Sequence, residues 1–168
     1  FFRGDPESAR DPVEPAELMV LQRHSPPLNL PNNASTRPTT GRRLAYAQHL
    51  TSGIHPLTAR VFVNRLWLHH LGRGLVATPN DFGLAGDRPS HPALLDWLAK
   101  DLVRHAWDQK RLHRMILLST TYQQVSQRRP KLDDMDPENA LLGRANLRRL
   151  DAESVRDALL AVTGHLDV

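Results

Sequence analysis

The chain has 168 residues, 40% of them apolar and 24% charged, and its 22 Lys and Arg against 18 Asp and Glu give a formal net charge of +4. That length supports one domain with a real core, burying roughly 70% of the surface the unfolded chain would expose, and the composition is ordinary for a globular protein. The chain has no cysteine, which excludes disulfides, thiolate catalysis, cysteine-held metal and c-type haem attachment within it. The mild positive charge, with acids interleaved, lacks the concentrated basic face of a nucleic-acid binder.

Residues 1–39 read as an irregular arm. Prolines 6, 12, 15, 26, 27, 31 and 38 punctuate it, and "PPLNLPNNASTRP" cannot be a regular helix. Extended pieces are expected at Phe1–Arg3 and Leu18–Leu21. From Thr40 the pattern turns helical. "TTGRRLAYAQHLTSG" offers Thr40 as N-cap and Gly53 at C′. "HPLTARVFVNRLWLHHLG" starts with Pro56 near N1, stops at Gly72 and is apolar nearly all round, which predicts the central, buried helix. A loop follows to Ser90, with an extended piece at Gly74–Thr78. "SHPALLDWLAKDLVRHAW" has Ser90 as N-cap and an apolar stripe through Leu94, Leu95, Leu98, Leu102 and Val103. The next helix begins at the Asp108 cap, a short one follows Asp136 with Pro137 at N1, and the last runs from the Asp151 cap to Gly164. Leu150 and Val155 are placed as a hydrophobic staple at its start. The three tryptophans, Trp67, Trp97 and Trp107, sit in or beside apolar stripes and are expected mostly in the core.

The fold class is therefore all-α: an irregular, proline-rich arm over 1–39, then a helical domain over 40–168 built as a bundle of about five helices. No apolar run approaches the ~20 residues of a membrane-spanning helix. "FFRGDPESARDP" lacks the apolar segment of a signal peptide. The chain opens without Met and closes just after a helix, so it reads as a piece of a longer protein, truncated at both ends.

The polar residues that stand out lie in "VNRLWLHHLGRGLVATPNDFG", residues 63–83. Arg65, His69, His70 and Asp81 are the candidate catalytic set: an imidazole as general base or metal ligand, a carboxylate to orient it, and a guanidinium for an anion. Asn64, Arg73 and Asn80 are candidate polar or anion-binding groups, since the "GRG" at 72–74 can expose N–H groups beside Arg73. Each has a plainer reading. His69 and His70 are adjacent, so their side chains diverge by about 100° and miss the i, i+4 metal pair. His70 would be a core histidine donating to a carbonyl, and His69 a cation favoured by the helix C-terminus. "TPND" suits a β-turn. An arginine on an apolar helix is costly unless paired, and Asp81, Asp96 or Asp101 could hold Arg65. Arg148 and Arg149 can be answered by Asp151 and Glu153. The metal, if there is one, is not identified by any spacing of the other histidines.

From "RRLAYAQHLTSGIHPLTARVFVNRLWLHHLGRGLVATPNDFGLAGDRPSHPALLDWLAKDLV" through "HRMILLSTTYQQ", "DPENALLGR" and "RRLDAESVRDALLAVTGHLD", the chain closely resembles the planctomycete-specific domain of unknown function. Residues 1–10 look like the preceding "RGD" segment. Two positions depart from the pattern. His49 stands where a Trp looks usual, and His55 stands where an Asn or Asp is expected before the proline, a change expected to weaken a helix cap. The resemblance implies a large, exported, multidomain parent, extracytoplasmic in location. Such a parent often carries a cytochrome c domain, and some occur in settings that suggest polysaccharide breakdown. Haem would then sit in a separate domain, with no cofactor in this chain. The leading expectation is a scaffold or interaction module whose partners are other domains of its own parent, or a glycan. The alternative is a hydrolase, metal-assisted or not, acting on a polysaccharide-derived substrate through Arg65, His69 or His70, and Asp81. Nucleic-acid binding is the third reading.

Overall fold

A computed structural model describes residues 5, 7, 8, 11, 14–23, 27–31 and 39–167. The expected extended piece at Phe1–Arg3 lies outside them. Among the described residues the chain is helical with no strand: α1 (Met19–Gln22), α2 (Arg42–Thr51), α3 (Thr58–Leu71), α4 (Pro92–Arg104), α5 (Gln109–Leu117), α6 (Pro130–Met135) and α7 (Ala152–Val162). The all-α class holds, and five of these helices have nine residues or more.

Local chemistry explains most of the boundaries. The Asp108 and Asp151 side chains accept from the backbone N–H groups of Arg111 and Ser154, as N-caps should. Gly53, Gly72 and Gly164 take left-handed conformations just past α2, α3 and α7. Four expectations are corrected. Leu18–Leu21 is not extended, because Met19–Gln22 forms a helical turn. Gly41, with φ 74°, is the N-cap of α2 in place of Thr40. His91 takes the N-cap of α4, while the Ser90 hydroxyl donates to the Leu75 carbonyl at 3.2 Å. No helix follows Pro137. The Asp136 carboxylate instead accepts from the N–H groups of Ala140 and Leu141, and Asn139 and Leu142 both have positive φ, which stops helical propagation.

The core is built on α3, which packs against both α4 and α5. Ala59, Val63, Trp67 and Leu71 recur every four residues along its buried side and meet Leu95, Leu98, Ala99 and Leu102 of α4 and Leu112 and Ile116 of α5. Each large apolar side chain so buried contributes about 1.5–3 kcal/mol relative to exposure. Trp67 is in this core, and Trp107 is half-buried with its indole N–H donating to the Thr51 carbonyl at 3.1 Å. Trp97 is corrected. It is 53% exposed, because it lies on the side of α4 away from Leu95, Leu98 and Leu102.

Two polar devices position the rest. A bidentate pair of Arg111 with the buried Asp101 carboxylate, 3.2 Å on each arm, ties α5 to α4. At the end of α3, the orphan carbonyls of His69 and Leu71 accept from Arg148 (2.6 Å) and Asn146 (2.9 Å). Arg148 therefore answers α3, not the acidic start of α7.

The deepest polar group is Asn64, fully buried. Its Nδ2 donates to the Val76 carbonyl at 3.0 Å and its Oδ1 accepts from the Val76 N–H at 2.8 Å. This pins the loop after α3 against the helix and seats Leu75 and Val76 in the core. Gly74 is required beside it, since a Cβ there would collide with the Asn64 amide and the Val76 carbonyl. Asn64→Ala strands two buried backbone groups, so urea denaturation should show a loss of about 2–5 kcal/mol. Arg65→Ala, one residue away on the exposed side, should stay within about 0.5 kcal/mol; equal losses would contradict the assignment.

Candidate functional site

The seven residues of the 63–83 stretch do not converge. Asn64 is consumed by Val76. Arg65 is exposed and donates to the Asn80 Oδ1 at 3.1 Å. None of the three proposed carboxylates holds it: Asp96 is taken by Arg60 and Asp101 by Arg111 and His105, while Asp81 turns its Oδ1 to the Gly83 N–H at 2.8 Å. Arg73 pairs with Glu138 at 2.8 Å, across 65 residues of sequence. His69 is exposed at the C-terminal end of α3; its carbonyl accepts from Arg148, and among the described residues its side chain makes no hydrogen bond or ion pair.

His70 has a partner that the sequence does not advertise. Its Nε2 lies 2.7 Å from Nδ1 of His113 on α5, with the Tyr122 ring stacked edge-on nearby. The expected carbonyl acceptor is thus another imidazole, and one ring must donate while the other accepts. Burial lowers the His70 pKa below its ordinary 6.5, and the positive potential of His113, Arg148 and His69 lowers it further, so the ring is held neutral. No hydrogen bond or ion pair among the described residues joins Asp81 to either histidine of α3, and the geometry of a base with its orienting carboxylate is not formed there. Among the described residues no group of three or more His, Asp or Glu is placed to hold a metal ion together.

Two concavities lie elsewhere among the described residues: a shallow one of about 400 Å³ on α5, lined by Lys110, His113, Arg114, Leu117 and Leu118, and a larger cleft. The cleft, of about 730 Å³, runs between the start of α3, the exposed side of α4 and the 82–92 loop. Its apolar floor includes Ala59, Val76, Leu95, Ala99 and Val103, and its polar groups are His55, Arg60, Asp87, Asp96, Lys100 and Arg104. None of the seven sequence candidates lines it. Arg60 donates from Nε to Asp96 at 2.6 Å and from a terminal nitrogen to the Pro56 carbonyl. That hydrogen bond and charge hold the Asp96 carboxyl below its ordinary 3.8, hence ionised and a poor acid.

At the cleft edge, His55 is fully committed. Its Nδ1 accepts from the Thr58 N–H (3.1 Å) and hydroxyl (2.8 Å) at the start of α3, so it caps the helix as an Asn or Asp would. With Nδ1 accepting, a neutral ring carries its proton on Nε2, which sits 3.4 Å from Oε1 of Glu17. His49 Nε2 meets the same buried carboxylate at 3.1 and 3.2 Å. Two imidazoles thus hold one carboxylate from the arm. Sequence reasoning missed Glu17 because it lies in an irregular segment, 32 residues from His49, and no local spacing marks it.

The cleft offers no serine, threonine or cysteine nucleophile among its lining residues, and both nitrogens of its one imidazole are occupied. What it presents is charge beside apolar surface. A family model described as PSD1, protein of unknown function (DUF1553), matches residues 42–168. No curated protein and no solved structure matches the chain.

Burial lowers the His55 pKa against the opposing pull of Glu17, with His49 pushing it further down, and His70 is lowered as well. Both rings take up protons more readily in the unfolded chain. The stability they contribute is fully present above the ordinary 6.5 and is lost as pH falls below it through their folded values. Thermal unfolding should show a midpoint that drops between about pH 7 and pH 5 in the wild type. It should drop less in His55→Asn/His70→Gln, where the introduced asparagine keeps a cap acceptor. An identical drop in the double variant would refute the assignment to these two rings.

Proposed function

The chain belongs to the PSD1 family of proteins of unknown function, and from that premise we propose that it is a scaffold and interaction module whose binding element is the C-terminal helix. The observation that carries this reading is the uncovered apolar stripe of α7. Val155, Leu159 and Val162, at i, i+4 and i+7, are 44%, 63% and 88% exposed, and α7 contains no buried residue. A helix with a continuous apolar stripe is stabilised in proteins by burying that stripe against another element. Among the described residues, every hydrogen bond made by 151–166 is local to that segment. The stripe is free for a partner.

The partner in this reading is another domain of the same parent, a large exported protein of planctomycete type whose location is periplasmic or at the cell surface. Haem, where the parent has it, is carried by a separate cytochrome c domain. Association with polysaccharide processing, and a glycan as a second partner, belong to the same reading. No helix among the described residues is long and apolar enough to cross a membrane. Catalysis ranks second, because the proposed catalytic side chains do not gather at one point and, in the cleft, His55, Arg60 and Asp96 are already engaged by other groups.

Hydrogen exchange tests the reading. Amides of 152–162 should exchange rapidly in this chain and become at least tenfold protected in the longer parent protein. Val155→Asp/Leu159→Asp should abolish that protection while leaving amides of α3 and α4 unchanged. Equal exchange of α7 in both proteins would overturn the proposal.

A further inference from the structure

We propose that the α3–α4 cleft is a binding site for a small amphiphile with an aliphatic body and a single anionic end, a carboxylate or its chemical equivalent. The inference is independent of the role given to α7. The volume, about 730 Å³, falls within the range of cavities that hold small ligands. On α4, Leu95, Ala99 and Val103 supply the floor, and Asp96, Lys100 and Arg104 run beside them at the same four-residue spacing. Side chains so spaced stand about 5–6 Å apart at Cβ, close enough for two cations to bracket one anion.

The charges fix the ligand's class and orientation. Asp96 is satisfied by Arg60, so that end of the cleft is neutralised. Among the described residues neither Lys100 nor Arg104 makes an ion pair or side-chain hydrogen bond, although both line the cleft. These two cations follow Asp96 by about one and two turns of α4, toward its C-terminus, and they outnumber Asp87, the one carboxylate of the lining with no side-chain partner among the described residues. The body of the ligand would lie over the Ala99 and Leu95 floor. Phe82 is the one Phe, Tyr or Trp in the lining, and the rest of the apolar surface is aliphatic, which suits an aliphatic body.

The probe is octanoate, titrated calorimetrically into this protein, with 1-octanol as the neutral control. Octanoate should saturate a single site and bind at least tenfold more tightly than octanol. Lys100→Glu/Arg104→Glu should weaken octanoate at least tenfold. Both residues are exposed, and circular dichroism checks the fold; Lys100→Gln/Arg104→Gln serves if the reversal perturbs it. Lys131→Glu/Arg149→Glu, an equal charge change at exposed residues that line neither concavity, should leave binding unchanged. Absence of saturable binding, equal affinity for octanol, or equal losses from the two charge reversals would each overturn the proposal.

Discussion

The paired hydrogen bonds between the buried Asn64 amide and the two backbone groups of Val76 are the constraint on which the rest of the molecule depends. A loop entering a core brings unpaired backbone groups with it, and each must find a partner. Asn64 supplies both donor and acceptor from the middle of α3. The loop can therefore turn inward, place Leu75 and Val76 among the apolar side chains of α3 and α4, and return along the surface to start α4. One wall of the cleft exists because of that return path: Phe82, Asp87 and Pro89 follow the anchored segment.

The same accounting describes the polar stretch around the end of α3, whose candidate side chains do not gather at one point. Several groups there hold one segment to another. Arg73 reaches Glu138, His70 reaches His113, and the last carbonyls of α3 are answered by Asn146 and Arg148. These contacts dock the 119–148 region, which includes α6, on α3, with Leu142 packed against the core beside them. Charged and polar residues take there the place that helix packing has elsewhere in the fold, and α7 continues beyond them with its apolar stripe uncovered.

The arm follows the same rule. Glu17 is buried between His49 and His55. His55 faces two ways, capping α3 through Nδ1 and meeting Glu17 through Nε2. One ring therefore couples the helix start, the cleft edge and the arm, and its protonation would disturb all three.

The sequence by itself determined the elements whose causes are local. The all-α class, the Asp108 and Asp151 caps, the glycine stops at 53, 72 and 164 and the central place of 58–71 all follow from spacing and backbone preference within a few residues. The helix expected after Pro137 was illegible in the same terms, because its failure comes from Asn139 turning into the protein to meet Arg144 and Asn146. Only the tertiary structure decided the polar partners and the cleft. Glu17 with His49, His70 with His113, Arg73 with Glu138 and Asn64 with Val76 join residues 12 to 65 positions apart. Hydrophobic periodicity says which side of a helix is buried but not which neighbour covers it. A side chain's hydrogen-bond partner is set by that neighbour, and so the site was a matter of packing before it was a matter of sequence.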